Sequence, residues 1–315
     1  MSANTRFTPG SVADIRAFTE IAATLDGNGC LESLPFMPEM KALCGTRVRV
    51  FRRLEKTCVE GSGARSLAST VILESLHCDG SAHDGCQKRC PLLWKEAWLR
   101  PVTDPARDPA RAPREPSEQQ AFLKTRNDDH RYFCQSTELA NATTVLPGTS
   151  LRKYVGEFTA GNVTAVQALR LLGRSGFLRL RGKLLGPSPI RPTGAPAGAP
   201  PEPLDLQPGE IVEVKKPEEI APTLDRRGRN RGLVFTPQMK PFCGGRYAVK
   251  NRVDRMILET TGRMREFKST VILEDVTCDG TVILGGCSRN AYHLWREVWL
   301  RRVSPPSDGS SSTAG

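Results

Sequence analysis

The sequence contains no long apolar run and no secretory leader pattern. No stretch approaches the ~20 consecutive apolar residues that span a bilayer, and the first residues lack the basic and apolar regions of a signal peptide. We therefore expect a cytoplasmic protein without a membrane partner. In a reducing compartment, its ten cysteines are more naturally metal ligands, reactive thiols or small buried hydrophobes than a disulfide framework.

The motifs of several large enzyme classes are also missing. The chain has no G-x-x-x-x-G-K-[ST], no G-x-G-x-x-G after a strand, no H-E-x-x-H, no G-x-S-x-G and no C-x-x-C-H. Nucleotide hydrolysis, dinucleotide redox chemistry, zincin proteolysis, α/β-hydrolase chemistry and c-type haem therefore have no support. With only four histidines, the choice of general bases is small.

Acidic residues are fewer than basic ones: the chain has 34 Asp and Glu and 45 Lys and Arg, which gives a net charge of +11. Such a balance makes a polyanionic partner a candidate, although the spread of basic residues along the chain favours solvated surface charge; as a partner we expect an acidic protein or carrier domain. Nucleic acid is the weaker expectation, because the basic residues are spread along the chain and aromatic residues for base stacking are few.

An internal duplication organises the chain. The matching segments are 36–50 with 235–249, 69–74 with 269–274, and 93–102 with 294–303. STVILE and CDG recur identically, and FMPEMKALCG returns as FTPQMKPFCG. We therefore predict two copies of one domain, at 8–102 and 207–303.

Proline-rich stretches separate the folded parts. Residues 187–206 are predicted to form an extended linker, and residues 304–315 a disordered tail. Residues 121–186 are predicted to form a helical insert that packs on the first copy. An i, i+3, i+4, i+7 pattern supports a helix there, at Leu151, Tyr154, Val155 and Phe158.

The local pattern within each copy is mostly β, because β-branched residues alternate with polar ones between glycine-containing turns. The PGEIVEVKK segment resembles the first strand of SH3-like barrels. The expected fold is mainly β with α: two tandem SH3-like small β-barrels, each ending in a short Trp-containing helix, plus the insert. We expect the tryptophans to be core anchors sharing a helix face, as the pairs Trp94 with Trp98 and Trp295 with Trp299.

The cysteines carry the sharpest chemical pattern. In the first copy, a C-x3-C pair follows two other cysteines, and the predicted ligands are Cys44, Cys78, Cys86 and Cys90. Thiolates converging from a strand end, a turn and a short loop suit a tetrahedral zinc ion. His83 is an alternative for any one of the four.

The second copy keeps three of these thiols and has a histidine near the fourth position, giving Cys243, Cys278, Cys287 and His293. Ala291 takes the place of Cys90. Either a Cys3His zinc site forms, or the thiols are small buried hydrophobes and His293 packs beside Trp295.

Two further cysteines belong to the first half alone. Cys58 replaces Ile257 of the second copy, which favours a buried, inert core position. Cys134 lies in the polar segment HRYFCQSTE, beside His130, and is expected to be reactive or metal-linked. If Cys58 and Cys134 both face Cys78 and Cys90, the thiolates exceed the needs of one zinc and fit an iron–sulfur cluster or a catalytic site.

The duplicated FMPEMKALCG, CDGSAHDGCQKRC and LWKEAWL pattern resembles a bacterial protein family with the same cysteine-rich unit and a YFCQSTE-like insert. The resemblance implies the domain organisation and no particular activity. Two hypotheses therefore remain: a metal-stabilised, bivalent binding or scaffold protein, and a metal- or thiol-dependent enzyme with its site between the first copy and the insert.

Overall fold

The computed structural model describes most of the chain: residues 7–60, 63–102, 123–147, 152–170, 202–278 and 287–303, with residues 173, 177 and 280. The expected tail at 304–315 and most of the expected linker at 187–206 lie outside these residues. Strand residues outnumber helical ones, 35% against 19%, so the prediction of a mainly β protein is confirmed.

The first copy contains a five-stranded antiparallel sheet in the order β8-β7-β4-β1-β9. The strands of this copy are β1 (Val12–Ile15), β2 (Cys30–Leu31), β3 (Leu34–Pro35), β4 (Arg47–Arg53), β5 (Lys56–Val59), β6 (Gly63–Ser66), β7 (Thr70–His77), β8 (Pro91–Lys95) and β9 (Leu99–Pro101). Its helical segments are Phe18–Ala22 and the 3-10 turns Pro38–Leu43 and Glu96–Trp98.

The second copy repeats this order as β18-β17-β14-β11-β19. Its strands are β11 (Ile211–Val214), β12 (Arg229–Asn230), β13 (Leu233–Val234), β14 (Arg246–Arg252), β15 (Arg255–Ile257), β16 (Met264–Glu266), β17 (Thr270–Cys278), β18 (Ala291–Arg296) and β19 (Leu300–Arg302). Its helical segments are Pro217–Ile220, Ala221–Thr223, Pro237–Phe242 and Glu297–Trp299. The same bulge recurs in β4 and β14, so the duplication extends to irregularities of the strands.

Each sheet packs around one phenylalanine and two tryptophans. In the first copy, the Phe36 ring lies 6.1 Å from Trp94 and 5.3 Å from Trp98, in edge-to-face contacts. Trp98 Nε1 donates a hydrogen bond to Thr24 Oγ1 at 3.1 Å. The second copy repeats the arrangement with Phe235, Trp295, Trp299 and Thr223. All four tryptophans are 0% exposed, which confirms the prediction of core anchors.

The shared helix face predicted for each tryptophan pair is not confirmed. Trp94 lies in β8 and pairs with Val71 of β7, and only Trp98 lies in a 3-10 turn. A strand followed by one tight turn brings residues i and i+4 into contact as a helix would. The sequence spacing alone therefore does not distinguish the two structures.

The insert is only partly helical. A helix spans Arg152–Thr159, where the periodic pattern predicts one, and residues 165–170 are also helical. Residues 123–147 instead form turns and the short strand β10 (Thr144–Val145), which pairs with β6. Side chains in this stretch hydrogen-bond nearby backbone groups, as Asn127 Oδ1 does with the N–H groups of Asp129 and Arg131, and such bonds compete with helix formation.

The chain divides into two compact units. The larger unit comprises Met1–Ser188, Arg255–Glu266 and Thr277–Tyr292, and the smaller comprises the remaining residues. The hairpin β15–β16 and the segment leading into β18 therefore belong to the same unit as the first sheet and the insert. All contacts discussed below as parts of a site lie within the larger unit.

The insert docks on β8 through one buried amide. Gln135 is 4% exposed, and its Oε1 accepts a hydrogen bond from the Leu93 N–H at 2.8 Å. Its Nε2 donates to the carbonyls of Leu93 at 2.8 Å and Pro35 at 3.0 Å. Because β8 is an edge strand of its sheet, this amide supplies the bonds that a neighbouring strand would make.

We expect Gln135→Ala to lower the free energy of unfolding by about 2–4 kcal/mol, because it leaves buried backbone groups of β8 unsatisfied. Urea unfolding followed by tryptophan fluorescence measures the change. Asn141→Ala is the control, since it removes an exposed hydrogen bond to Glu138 and should cost less than about 0.5 kcal/mol. Equal effects of the two substitutions would contradict the role of the Gln135 amide.

Candidate functional site

One carboxylate, one thiol and one imidazole meet in the larger unit. Glu39 comes from the 3-10 turn Pro38–Leu43, Cys78 follows β7, and His83 lies in the next loop. One ligand atom from each residue lies within 4.8 Å of the other two. The Cys78 thiol donates a hydrogen bond to Glu39 Oε1 at 3.1 Å. We refer to these three residues as the Glu39–Cys78–His83 group.

A tight turn positions His83. The backbone N–H groups of His83 and Gly85 both donate to the Gly80 carbonyl, at 2.9 and 3.0 Å. Gly80 has a φ of +77°, and a Cβ there would lie 2.1 Å from the Cys86 carbonyl oxygen. The position therefore requires glycine. This turn folds the chain back so that Cys78, His83 and Cys86 approach one another.

His83 is 1% exposed, and its hydrogen bonds define its free nitrogen. Nε2 lies 3.1 Å from the Phe133 carbonyl, which accepts only, so Nε2 carries a proton. Nδ1 faces Glu39 Oε1 at 3.5 Å. Among the described residues, neither Nδ1 nor Glu39 Oε2 has a hydrogen-bond partner. Buried polar atoms without partners are rare in folded proteins, and here both lie beside a thiol.

The electrostatics of the group follow from burial and proximity. Burial alone would lower the pKa of His83, but Glu39 outweighs it and raises that pKa above its usual value. Burial raises the pKa of the Glu39 carboxyl, and the adjacent His83 more than reverses this. Burial and the charge of Glu39 raise the pKa of Cys78. Without a bound cation, Cys78 is therefore a protonated thiol at neutral pH.

A cavity beside the group is lined by sulfur atoms. Four cysteines contribute to its wall, together with His83: Cys78, Cys86, Cys90 and Cys134. The Cys86 sulfur accepts hydrogen bonds from the backbone N–H groups of Ile257, at 3.4 Å, and Lys88. Burial raises the pKa of Cys86, and these two bonds act in the opposite direction because they stabilise the thiolate, the form that binds metals. No three of these thiols have their sulfur atoms within 4.8 Å of one another.

The structure brings together three of the four ligands predicted in the first copy. Cys44 does not line the cavity; its thiol contacts the Met40 carbonyl at 4.0 Å within the core. The chain after Cys44 continues into β4, which begins at Arg47. Cys134 of the insert occupies the cavity wall instead, with 7% exposure.

The ligands predicted in the second copy do not form a comparable group among the described residues. The Cys243 thiol contacts the Met239 carbonyl, as Cys44 does with Met40. His293 packs its ring against Phe242 and Trp295, as the alternative to a zinc site predicted. The Cys287 sulfur accepts a hydrogen bond from the backbone N–H of Cys58 at 3.1 Å.

Two of the three candidate catalytic residues, Cys58 and Cys134, differ from expectation in their exposure. Cys58 is exposed, whereas a buried core position was expected, and Cys134 is buried. Burial raises the pKa of Cys134 to about 11, so its thiol is not activated. His130 is exposed, in a turn closed by its N–H to the Asn127 carbonyl, and does not line the cavity.

A buried cationic network forms another part of the cavity wall. Arg289 donates to Glu259 Oε2 at 2.6 Å and to Ser136 Oγ at 3.1 Å, and Ser136 Oγ donates to Glu259 at 3.0 Å. Lys88 donates to Ser136 at 3.1 Å. The negative charge of Glu259 is thus shared between two cations beside the thiols.

Reasoning from the sequence missed Glu39, Ser136 and Arg289. A comparison of the two copies could have found Glu39, because the equivalent position of the second copy is Gln238. The same comparison places His83 opposite Ile283 or Leu284, because the second copy has one extra residue in this segment. The carboxylate and the imidazole are therefore both particular to the first copy, while Cys78 has an equivalent in Cys278.

No protein-family profile, no curated protein and no solved structure matches this chain. Among the described residues, none of the helices combines the length and apolar character needed to cross a bilayer.

We expect Glu259→Gln to lower the free energy of unfolding at pH 7 by about 3–5 kcal/mol, because it leaves Arg289 buried without its carboxylate. Burial raises the pKa of Glu259, but Arg289 and Lys88 hold it below its usual value. Its stabilising contribution is therefore present above the unfolded-state pKa and is lost as the pH falls through the lower folded-state value.

Denaturant unfolding between pH 7 and pH 3 measures this dependence, and the Glu259→Gln variant should show a flatter decline below about pH 4.5 than the wild type. Glu60→Gln is the matched control, since Glu60 is the exposed equivalent of Glu259 in the first copy. Identical pH profiles for the wild type and both variants would contradict the assignment.

Proposed function

We propose that this protein binds zinc and that the Glu39–Cys78–His83 group holds the ion. The observation that carries the proposal is the pair of buried atoms without hydrogen-bond partners, His83 Nδ1 and Glu39 Oε2, next to the Cys78 thiol. Nitrogen, sulfur and carboxylate oxygen are the three donor types that zinc takes from proteins. Bound zinc would displace the protons of Cys78 and His83 and satisfy both atoms.

The contact of the Phe133 carbonyl with His83 Nε2 supports this assignment. Histidine ligands of metals usually donate their other ring N–H to a carbonyl or carboxylate, which fixes the tautomer and the ring orientation. The Nε2 contact to Phe133 supplies this bond and directs the Nδ1 lone pair towards Glu39 and Cys78. The insert would thereby orient a ligand of the first copy.

Distances favour the mixed ligand set over four thiolates. With Zn–S bonds of about 2.3 Å, a tetrahedral four-thiolate site needs sulfur atoms about 3.8 Å apart. The cavity thiols do not provide three sulfur atoms even within 4.8 Å. A fourth ligand from Cys86 or Cys90 would complete a closed structural site, because both line the same cavity.

In this proposal the ion stabilises the first copy and its insert as a binding module. The excess of basic residues supports an acidic macromolecule as the partner. The two five-stranded sheets share one strand order, which supports two equivalent modules. An SH3-like fold for both modules is part of this proposal.

Metal analysis of anaerobically purified protein tests the proposal, with about one zinc per chain as the expected result. Cys78→Ser and His83→Ala should each reduce the zinc content at least tenfold, because each removes a ligand of the ion. Cobalt substitution should give a thiolate-to-cobalt charge-transfer band that Cys78→Ser abolishes. Cys44→Ser is the matched control and should keep both zinc and band, since this thiol does not line the cavity.

Iron and inorganic sulfide in stoichiometric amounts would overturn the proposal. They would support a cluster held by the four cavity thiols, whose wider spacing suits a polynuclear centre. Cys86→Ser and Cys134→Ser would then remove the metal as effectively as Cys78→Ser, while His83→Ala would leave it bound.

A metal-dependent enzyme is the second candidate function, and one feature favours it. Catalytic zinc sites keep three protein ligands and an open fourth position, and the Glu39–Cys78–His83 group offers three ligands beside a cavity. Arg289 and Lys88 near that cavity would suit an anionic substrate.

An open position predicts that small anions bind the cobalt-substituted protein. Titration with azide should shift the visible cobalt spectrum in a saturable way if the fourth ligand is exchangeable water. Lys88→Met should weaken that binding severalfold without loss of cobalt, because Lys88 lines the cavity and is more exposed than Arg289. A spectrum unchanged by azide would favour the closed structural site.

A further inference from the structure

We infer that Cys58 and Cys287 form a redox-active thiol pair that closes to a reversible disulfide on reaction with a peroxide. Both residues belong to the larger unit. The pair is separate from the Glu39–Cys78–His83 group, and the inference does not depend on the proposed zinc site.

Geometry carries this assignment. Cys58 lies in β5, and its backbone N–H donates to the Cys287 sulfur at 3.1 Å. The Cys287 sulfur also lies 4.0 Å from the hydroxyl oxygen of Thr57, the residue before Cys58. This sulfur therefore lies directly against β5 at Cys58, and such proximity is what a disulfide needs to form without large backbone movement. Cys58 is exposed and Cys287 is partly exposed, so the pair lies at the protein surface.

The surroundings of Cys287 stabilise its thiolate. The interaction with the Cys58 thiol lowers the pKa of Cys287 below its usual value, although desolvation acts in the opposite direction. The backbone N–H of Arg289 also donates to this sulfur at 3.4 Å, and the charge of Arg289 acts in the same direction. The same contact raises the pKa of Cys58. The two backbone N–H donors on the Cys287 sulfur therefore favour Cys287 as the thiolate of the pair and Cys58 as the thiol.

The reaction proceeds in two steps. The Cys287 thiolate attacks one oxygen of hydrogen peroxide, the O–O bond breaks, and hydroxide leaves, so that Cys287 becomes a sulfenic acid. The Cys58 sulfur then attacks the Cys287 sulfur. The S–S bond forms, the S–O bond breaks, and the hydroxyl leaves with the Cys58 proton as water. Two thiols are oxidised to one disulfide, and one peroxide is reduced to two waters.

Several other cysteines have raised thiol pKa values, and this difference makes the reaction with peroxide selective for the Cys58–Cys287 pair. Burial raises the pKa of Cys30 to about 12 and those of Cys134 and Cys243 to about 11, so these thiols stay protonated. Cys86 receives a backbone N–H from Ile257, as Cys287 does from the equivalent residue Cys58. Because residue 257 is isoleucine, the residue that donates to Cys86 brings no second thiol.

Peptide mapping after peroxide treatment tests the pair directly. The full-length protein is treated with hydrogen peroxide at pH 7, quenched with N-ethylmaleimide and cleaved with trypsin and an Asp-directed protease. Peptide 57–65 then carries Cys58 alone, and peptide 279–289 carries Cys287 apart from Cys278. We expect these two peptides to be cross-linked and to separate on addition of dithiothreitol. In untreated protein, iodoacetamide should label Cys287 at least about tenfold faster than Cys134.

Two variants sharpen the result. Cys58→Ser should abolish the cross-link and leave Cys287 as sulfenic or sulfinic acid, whereas Cys278→Ser should keep the cross-link. Treated wild-type protein with no 57–65 to 279–289 cross-link would overturn the inference, and so would labelling of Cys287 no faster than that of Cys134. Both of these measurements use the wild type, so they hold even if a variant fails to fold.

Discussion

The structure around the candidate site depends on hydrogen-bond partners for its buried polar groups. Four consecutive residues of the insert supply most of these contacts. The Phe133 carbonyl holds His83 Nε2, Cys134 forms part of the cavity wall, Gln135 pairs with the backbone of β8, and Ser136 joins Glu259 to Arg289. A buried polar atom without a partner lowers the free energy of unfolding by about 1–3 kcal/mol, so the loss of any one of these contacts is unfavourable. The insert is thus a structural part of the first copy.

Protons and metal cations compete for the same donor atoms of the Glu39–Cys78–His83 group. Burial and Glu39 keep the Cys78 thiol protonated, and Glu39 favours a proton on His83. A metal ion that enters must displace both protons, so its apparent affinity rises with pH until the two groups are deprotonated. Arg289 and Lys88 are positively charged and therefore oppose the binding of a further cation. The negative charges of the thiolates and Glu39 have to offset this repulsion.

Much of the fold could be predicted because duplication repeats the pattern twice, and the matching sheets and tryptophan cores follow from it. The site was less predictable. The C-x3-C spacing indicated Cys86 and Cys90, but Glu39 lies far from Cys78 in sequence and belongs to no spacing motif. Sequence similarity also suggested Cys44, whose place in the core is shared with Cys243.

Cys58 shows why equivalent positions in a repeat need not share an environment. Ile257 is buried against the cavity, and this residue type suggested that Cys58 is buried too. Cys58 is instead exposed, facing Cys287. Burial here depends on which residues of other segments cover each hairpin, and a comparison confined to the two copies does not contain that information.

The amide of Gln135 has a consequence for behaviour at high concentration. Strand β8 ends its sheet, and an uncovered edge strand presents a row of donors and acceptors to any other chain. By occupying the N–H and carbonyl of Leu93, Gln135 removes the central bonding positions of that edge. The insert therefore also protects the protein against intermolecular strand addition, the first step of ordered aggregation.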